Sequence, residues 1–327
     1  MSIEVVDEVK SQIAEAVSII KKRNVENIFF VSCGGSFALM YLSKYLVDRE
    51  SPTIDAHIYS SNEFLYRNHA KLGDNSIVLL CSNSGNTPES VEASKLAKEK
   101  GALTISLTGK LGTNLPNGCD INLKYKSADN AFASSHSILY QIIFAILQLV
   151  NGNNKFPKIE KSLENLQLVF ETAVRDNKQK GKEFARTHKD EKIIYSMASG
   201  VNYGVAYGFS ICSMMEQQWI HSNSIHAGEF FHGPFEILDK DVPFVIILGL
   251  DETRPIEERA LDFSIKYGKK LTVVDAKDFN LDGIDESVKG YIAPLVLNHI
   301  VRYFSEELSI VRDHPLSTRR YMGVVDY

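Results

Sequence analysis

Short apolar runs alternate with stretches of helical spacing along this chain. Glu26 to Ser32 (ENIFFVS) reads as a strand that stops at Gly34-Gly35, and Phe37 to Val47 then carries apolar residues at helical spacing. The pattern recurs at Ser76 to Cys81 (SIVLLC), the polar turn Ser82-Asn83-Ser84-Gly85-Asn86-Thr87, and a helix over Glu89 to Lys100. Pro88 falls in the first turn of that helix, where a missing N–H is no loss. Leu103 to Leu107 and Ile121 to Tyr125 predict two more strands. Strands alternating with helices imply right-handed βαβ crossovers and a parallel sheet covered on both faces, an α/β fold in three αβα layers. The apolar stretch Ile138 to Val150 reads as a buried helix, since it is interrupted by Gln141 and Gln148 and falls short of the roughly 20 residues a membrane span needs.

The second half repeats the first. Lys192 to Ser196 (KIIYS) runs into Ala198-Ser199-Gly200 and a helix at about 203–219, echoing ENIFFVSCGGS about 165 residues earlier. Pro243 to Gly249 (PFVIILG) runs into Asp251-Glu252-Thr253-Arg254 and a helix at about 255–267, echoing SIVLLCSNSGNT at an offset of about 167. Similar offsets in one order predict a duplicated unit. Asn151 to Asn154 and Phe156-Pro157 read as the linker and Ile159 to Arg186 as a long charged helical stretch. The expected domains are 1–152, 153–311 and a tail at 312–327. A length of 327 residues agrees with two domains of roughly 150 residues each.

Composition narrows the function. With 44% hydrophobic and 24% charged residues the chain can bury a core, which excludes disordered, collagen-like and coiled-coil classes. A net charge of −5 argues against nucleic acid as a partner, so any anionic ligand must be gripped locally. The four scattered cysteines form no CxxC pair and suggest neither zinc nor disulfides. An acidic N-terminus without an apolar run, and the absence of a span, predict a cytoplasmic protein with no membrane partner.

Ligands of open α/β sheets bind beyond the carboxyl ends of the strands. There Ser82 to Thr87 offers hydroxyls, an amide and free backbone N–H groups at a helix N-terminus, a neutral cradle for a phosphate. The same residue types also serve as plain caps and turn formers. Gly35 and Ser36 add a second turn beside the same strand ends. No Gly-Lys-Ser/Thr or GxGxxG sequence indicates a nucleotide, and no His/Asp cluster indicates a metal. The other dense segment is Met215 to Glu236, MEQQWIHSNSIHAGEFFHGPFE, with the only tryptophan. Glu216, near the end of a Met- and aromatic-rich helix, is expected to be desolvated and thereby poised as a general base, or else to be a salt-bridged glutamate on a helix face. His221 and His226 read as turn or interface histidines. His232, enclosed by Gly228 and Gly233-Pro234, is expected to project from a tight loop.

At these two segments the chain resembles the sugar isomerase (SIS) family, the phosphosugar-binding fold also found in the isomerase half of glucosamine-6-phosphate synthase. SxSGxT at Ser82 to Thr87 resembles the family's sugar-phosphate loop, and Gly228-Glu229 to His232-Gly233-Pro234 its G-E-x-x-H-G-P motif. MEQQWIH, HAGEFFHGPFE, the turn at Ala198 to Tyr207 and the ending HPLSTRRYMGVVDY are most similar to the fructosamine-6-phosphate deglycases, above all those acting on fructose-asparagine 6-phosphate. The resemblance implies two tandem SIS domains. It implies substrate contacts from Gly35, Ser36, Ser82, Asn83, Ser84, Thr87 and Glu229, and an acid/base pair of Glu216 and His232. It further implies a homodimer with shared active sites, a phosphorylated sugar–amino acid as substrate, and no cofactor.

Two departures from the synthase stand out. No cysteine precedes Cys33, so a glutaminase nucleophile is not expected, and no lysine follows Lys289. The tail carries Arg319 and Arg320 instead, as carboxylate ligands or tail anchors. The activity implied is cleavage of a 6-phosphorylated fructosamine to glucose 6-phosphate and an amino acid. An aldose–ketose isomerase, an aminosugar-phosphate deaminase and a non-catalytic sugar-phosphate sensor are the alternatives.

Overall fold

The computed structural model describes residues 3–126 and 130–326, so Met1, Ser2 and Tyr327 of the segments discussed above lie outside it. The chain divides into two compact units, Met1–Gln167 and Leu168–Tyr327. The first contains α1 (Ile3–Ile20), β1 (Asn27–Ser32), α2 (Gly34–Glu50), β2 (Asp55–Ser60), α3 (Ser61–Arg67), β3 (Ser76–Ser82), α4 (Pro88–Glu99), β4 (Leu103–Thr108), α5 (Asn114–Gly118), β5 (Ile121–Lys124), α6 (Ser135–Asn151) and α7 (Phe156–Glu164). Its five strands are all parallel, in the order β2-β1-β3-β4-β5. β1 and β3 are buried along their whole length, which is why they read as unbroken apolar runs. Alternate residues face opposite sides: Phe29, Val31, Val78 and Leu80 pack with Phe64, Ala93 and Leu115 of α3, α4 and α5. α1, α2 and α6 form the other layer.

The second unit begins within α8 (Leu166–Asp176) and contains α9 (Lys178–His188), β6 (Ile193–Ala198), α10 (Tyr203–Gly208), a π-helix (Phe209–Gln217), β7 (His221–His226), β8 (Phe244–Leu248), α11 (Arg254–Tyr267), β9 (Leu271–Asp275) and α12 (Lys289–Val311). Its parallel order, β7-β6-β8-β9, repeats that of the first four strands. The repeat is regular: Ile193 of β6 lies 166 residues after Asn27 of β1, and His221 of β7 lies 166 after Asp55 of β2. Met197, Phe244, Ile246 and Leu248 face Phe230 and Ala260 on one side. On the other side α9 packs against α12.

Three sequence expectations change. The helical stretch from Ile159 to Arg186 is three helices, with breaks at Asn165 and Asn177. Gly152, in left-handed conformation, closes α6, and α7 packs back on α6, so the expected linker is a helix–helix turn inside the first unit. The expected helix over 203–219 is α-helical only to Gly208. Ser196 of β6 donates to the carbonyl of Ala206 (2.9 Å), the acceptor that the Ser210 N–H would use in an α-helix, and the chain continues with the wider π spacing. Edge strands β2 (DAHIYS) and β7 (HSNSIH), and β9, had no counterpart in the sequence reading.

Candidate active site

In the first unit, β3 delivers Ser82 to the carboxyl edge of the sheet, and the turn that follows is organised around its hydroxyl. Ser82 Oγ accepts from the Gly85 N–H (3.1 Å), shares a hydrogen bond with Thr87 Oγ1 (2.8 Å) and lies 3.4 Å from Ser84 Oγ. Gly85 has φ +67°, and a Cβ there would lie 2.0 Å from Thr113 Oγ1, so only glycine fits. Ser82 is buried, whereas Asn83 and Ser84 are exposed and Thr87 is half-buried. The Asn83 side chain accepts from the Tyr125 hydroxyl (2.7 Å). Thr87 occupies the N-cap of α4 and Cys33 that of α2, yet neither uses its side chain as a cap. The first N–H groups of α2 are thus left facing the turn; at α4 Pro88 has no N–H, and the Ser90 (3.1 Å) and Val91 (3.0 Å) N–H groups donate to the Thr87 carbonyl, so that helix offers chiefly the positive end of its dipole. Ser36, in the first turn of α2 with Gly35, meets the Cys81 thiol at the end of β3; burial pushes that thiol up to about 11, the Ser36 contact opposing the shift. The structure therefore gathers Gly35, Ser36 and Ser82 to Thr87 at one end of the sheet.

In the second unit, Glu216 lies on the π-helix. Of the two expectations, the salt-bridged glutamate is the one observed: Arg319 of the tail meets it at 2.6 Å, both side chains about a quarter exposed. The reason is long-range. Beyond α12 the chain returns across the π-helix, where Arg312 donates to the carbonyls of Lys189 (2.6 Å) and Gln218 (3.2 Å), and Gln218 Nε2 donates to the His314 carbonyl (2.9 Å). His314 stands edge-on to Trp219, and the Arg320 guanidinium lies over the Trp219 ring at 4.3 Å. His232 ends a short 3₁₀ turn, Phe230–His232, whose anchor is Phe230, fully buried against Phe231, Phe235, Phe244 and Phe263. Gly233, at φ +136°, reverses the chain, and His232 is exposed as expected, as is Glu229. His221 and His226 bound β7; the Nδ1 of His226 accepts from the Gly228 N–H (3.1 Å), and burial lowers its pKa, with Glu229 opposing.

Sequence reasoning missed Glu257. This side chain is 1% exposed and sits at the carboxyl ends of β6 and β8, the region that corresponds to the serine-rich turn of the first unit. It accepts from the Ser199 N–H (2.9 Å), the Gly249 N–H (2.7 Å) and Asn202 Nδ2 (3.2 Å). Burial raises its pKa to about 7, against the pull of those three donors and with help from Asp251. The 166-residue offset pairs Thr253 with Thr87, Asn202 with Ser36, and Glu257 with Val91. Where the first unit leaves N–H groups open, the second fills the place with its own carboxylate. The available signal was a charge at a position that is apolar in the first copy.

Residues 19–151 match the SIS domain model. The chain is 54% identical over 310 residues, 94% of each protein, to the fructosamine deglycase FrlB of Bacillus subtilis. The chain belongs to the same SIS-domain family as that enzyme. Another SIS relative, the fructoselysine 6-phosphate deglycase of Escherichia coli, is 29% identical over 94% of this chain and 88% of its own. A crystal structure from Bacillus subtilis described as a phosphosugar isomerase superposes with a TM-score of 0.97 at 51% identity over the full length of both chains. The two α/β units are thus tandem SIS domains, and the one-to-one strand correspondence is that of a duplicated SIS fold. Among the described residues, no helix is long and apolar enough to cross a membrane.

Proposed function

We propose that this SIS protein is a deglycase that hydrolyses a 6-phosphorylated fructosamine to glucose 6-phosphate and a free amino acid. The observation that carries the reading is the 54% identity, over nearly the whole chain, to a fructosamine deglycase. The uncapped N-terminus of α2 and the dipole of α4 behind the serine-rich turn support it, because they suit a phosphate in a protein of net charge −5.

In this reading Ser36, Ser82, Asn83, Ser84 and Thr87, with the Gly35 backbone, hold the phosphate end, and that binding energy orients C1 and C2 of the sugar. His232 assists ring opening, with Glu229 lining the same turn. Glu216 takes a proton from C1, giving an enaminol, and returns it to C2. The product is an imine between C1 and nitrogen, which water hydrolyses to the aldose and the amine. The substrate's own nitrogen and carbonyl delocalise the charge, so the chemistry asks for no cofactor. His232 is exposed on its turn, where a second subunit of a homodimer could share the site, as the resemblance to the synthase implies. Four free thiols, two of them buried, suit the cytoplasm.

The test is release of glucose 6-phosphate and amino acid from a panel of 6-phosphorylated fructosamines. Glu216→Gln should lower kcat by about 10²–10⁴-fold with the fold intact. Simple interconversion of hexose phosphates, or ammonia in place of amino acid, would establish the isomerase or deaminase alternative instead.

A further inference from the structure

The phosphate turn accounts for one end of the proposed substrate, while the other end carries a carboxylate. In an α-linked fructosamine that carboxylate is separated from C1 by only the nitrogen and the α-carbon. A cation that recognises it must therefore stand beside the group that deprotonates C1. The tail offers three arginines. Arg312 is committed to the carbonyls of Lys189 and Gln218, and Arg320 lies over Trp219. Arg319 is different: Nη1 is tethered by the carbonyls of its own tail, Leu316 (2.8 Å) and Thr318 (2.9 Å), and Nη2 points at Glu216 Oε1 (2.6 Å).

That geometry has two consequences. The carbonyls fix the guanidinium without neutralising it, so its charge is pre-positioned. The Arg319 Nη2–Glu216 Oε1 contact lies within reach of solvent, the two side chains being 23% and 24% exposed, so an incoming carboxylate can compete for the guanidinium. A carboxylate held in this way has an oxygen engaged that a base needs free.

We propose that Arg319 is a specificity-determining residue that recognises the substrate's α-carboxylate by partner exchange. The incoming carboxylate takes Nη2, and Glu216 is released toward C1. No bond is made or broken; one ion pair replaces another. A substrate without the carboxylate leaves Glu216 engaged. The proposal rests on the deglycase reading and on Glu216 as base.

The experiment compares fructose-glycine 6-phosphate with fructose-methylamine 6-phosphate, which differ only in the carboxylate, on wild-type protein, Arg319→Gln and Arg319→Lys. Wild type should favour the glycine compound in kcat/KM by roughly 10- to 100-fold, the scale of one charged hydrogen bond. Arg319→Gln should lose that factor on the glycine compound yet gain kcat on the methylamine compound, since its Glu216 is no longer engaged. A purely structural arginine would not produce that opposite response. Arg319→Lys, which keeps a point charge and the fold, should fall between the two and carries the test if Arg319→Gln unfolds. Trp219, the only tryptophan, supplies a readout independent of turnover: the glycine compound should shift its emission and the methylamine compound should not. Equal wild-type activity on both compounds, or an equal loss on both in either variant, overturns the role of Arg319 and leaves the deglycase reading standing. No amine released from either compound by wild type overturns the deglycase reading, and this proposal with it.

Discussion

Replacing Glu257 by alanine tests whether the second unit carries its own anion in place of a ligand. The substitution leaves the Ser199 N–H, the Gly249 N–H and Asn202 Nδ2 buried without an acceptor. Each such donor costs about 1–3 kcal/mol. Against this, the variant no longer buries a charge, a burden that the shift to a pKa of about 7 puts at about 3 kcal/mol in alkaline solution. The native state holds a proton on Glu257 that the unfolded chain has already released between the ordinary glutamate range and pH about 7. This group's stabilisation is therefore full below that window and is lost as pH rises through it. Alanine should accordingly cost about 2 kcal/mol near pH 8 and about 2–3 kcal/mol more near pH 5. Trp219 lies in the second unit and reports its unfolding in urea, and the transitions should be compared at both pH values. Acetate, which restores a carboxylate to the vacated place, should stabilise the variant more than the wild type. A variant with the wild-type pH slope, or one that acetate stabilises no more than wild type, would refute the reasoning.

Two other outcomes follow from the geometry. Ser82→Ala removes the hydroxyl partner of Thr87 and one of two acceptors of the Gly85 N–H, the Ser82 carbonyl remaining, so KM for a phosphorylated substrate should rise by about 10-fold while kcat changes less; steady-state kinetics decide it. If two subunits complete one site, mixing inactive Glu216→Gln and His232→Gln proteins should restore up to about a quarter of the activity by forming hybrid dimers, whereas sites within one chain predict none.

The central strands were legible because ENIFFVS, SIVLLC, KIIYS and PFVIILG each hold an unbroken apolar run, as strands near the middle of a covered sheet do, and the turns after them are marked by glycine and serine. Those turns also identified the candidate residues Ser36, Ser82, Ser84, Thr87 and His232, since a helix N-terminus or a tight loop is a local property of a few neighbouring residues. The edge strands were not legible. DAHIYS and HSNSIH have one partner strand each and partial exposure, so their pairing to β1 and β6 comes from the neighbour's backbone and not from their own pattern.

The surroundings of each charge were hidden for a related reason. Apolar neighbours in sequence left Glu216 either isolated or salt-bridged; its environment is set by Arg319, which reaches it only because α12 returns the tail across the π-helix. The π-helix begins where Ser196, remote in sequence on β6, donates to the Ala206 carbonyl. Glu257 looked like any acid in a helix's first turn until two strand ends closed around it and brought three donors to its carboxylate. Local sequence specified where the sheet, the turns and the candidate groups would be. Tertiary structure decided which charges met, because Coulomb and hydrogen-bond energies depend on distance in space, and the partners here are remote along the chain.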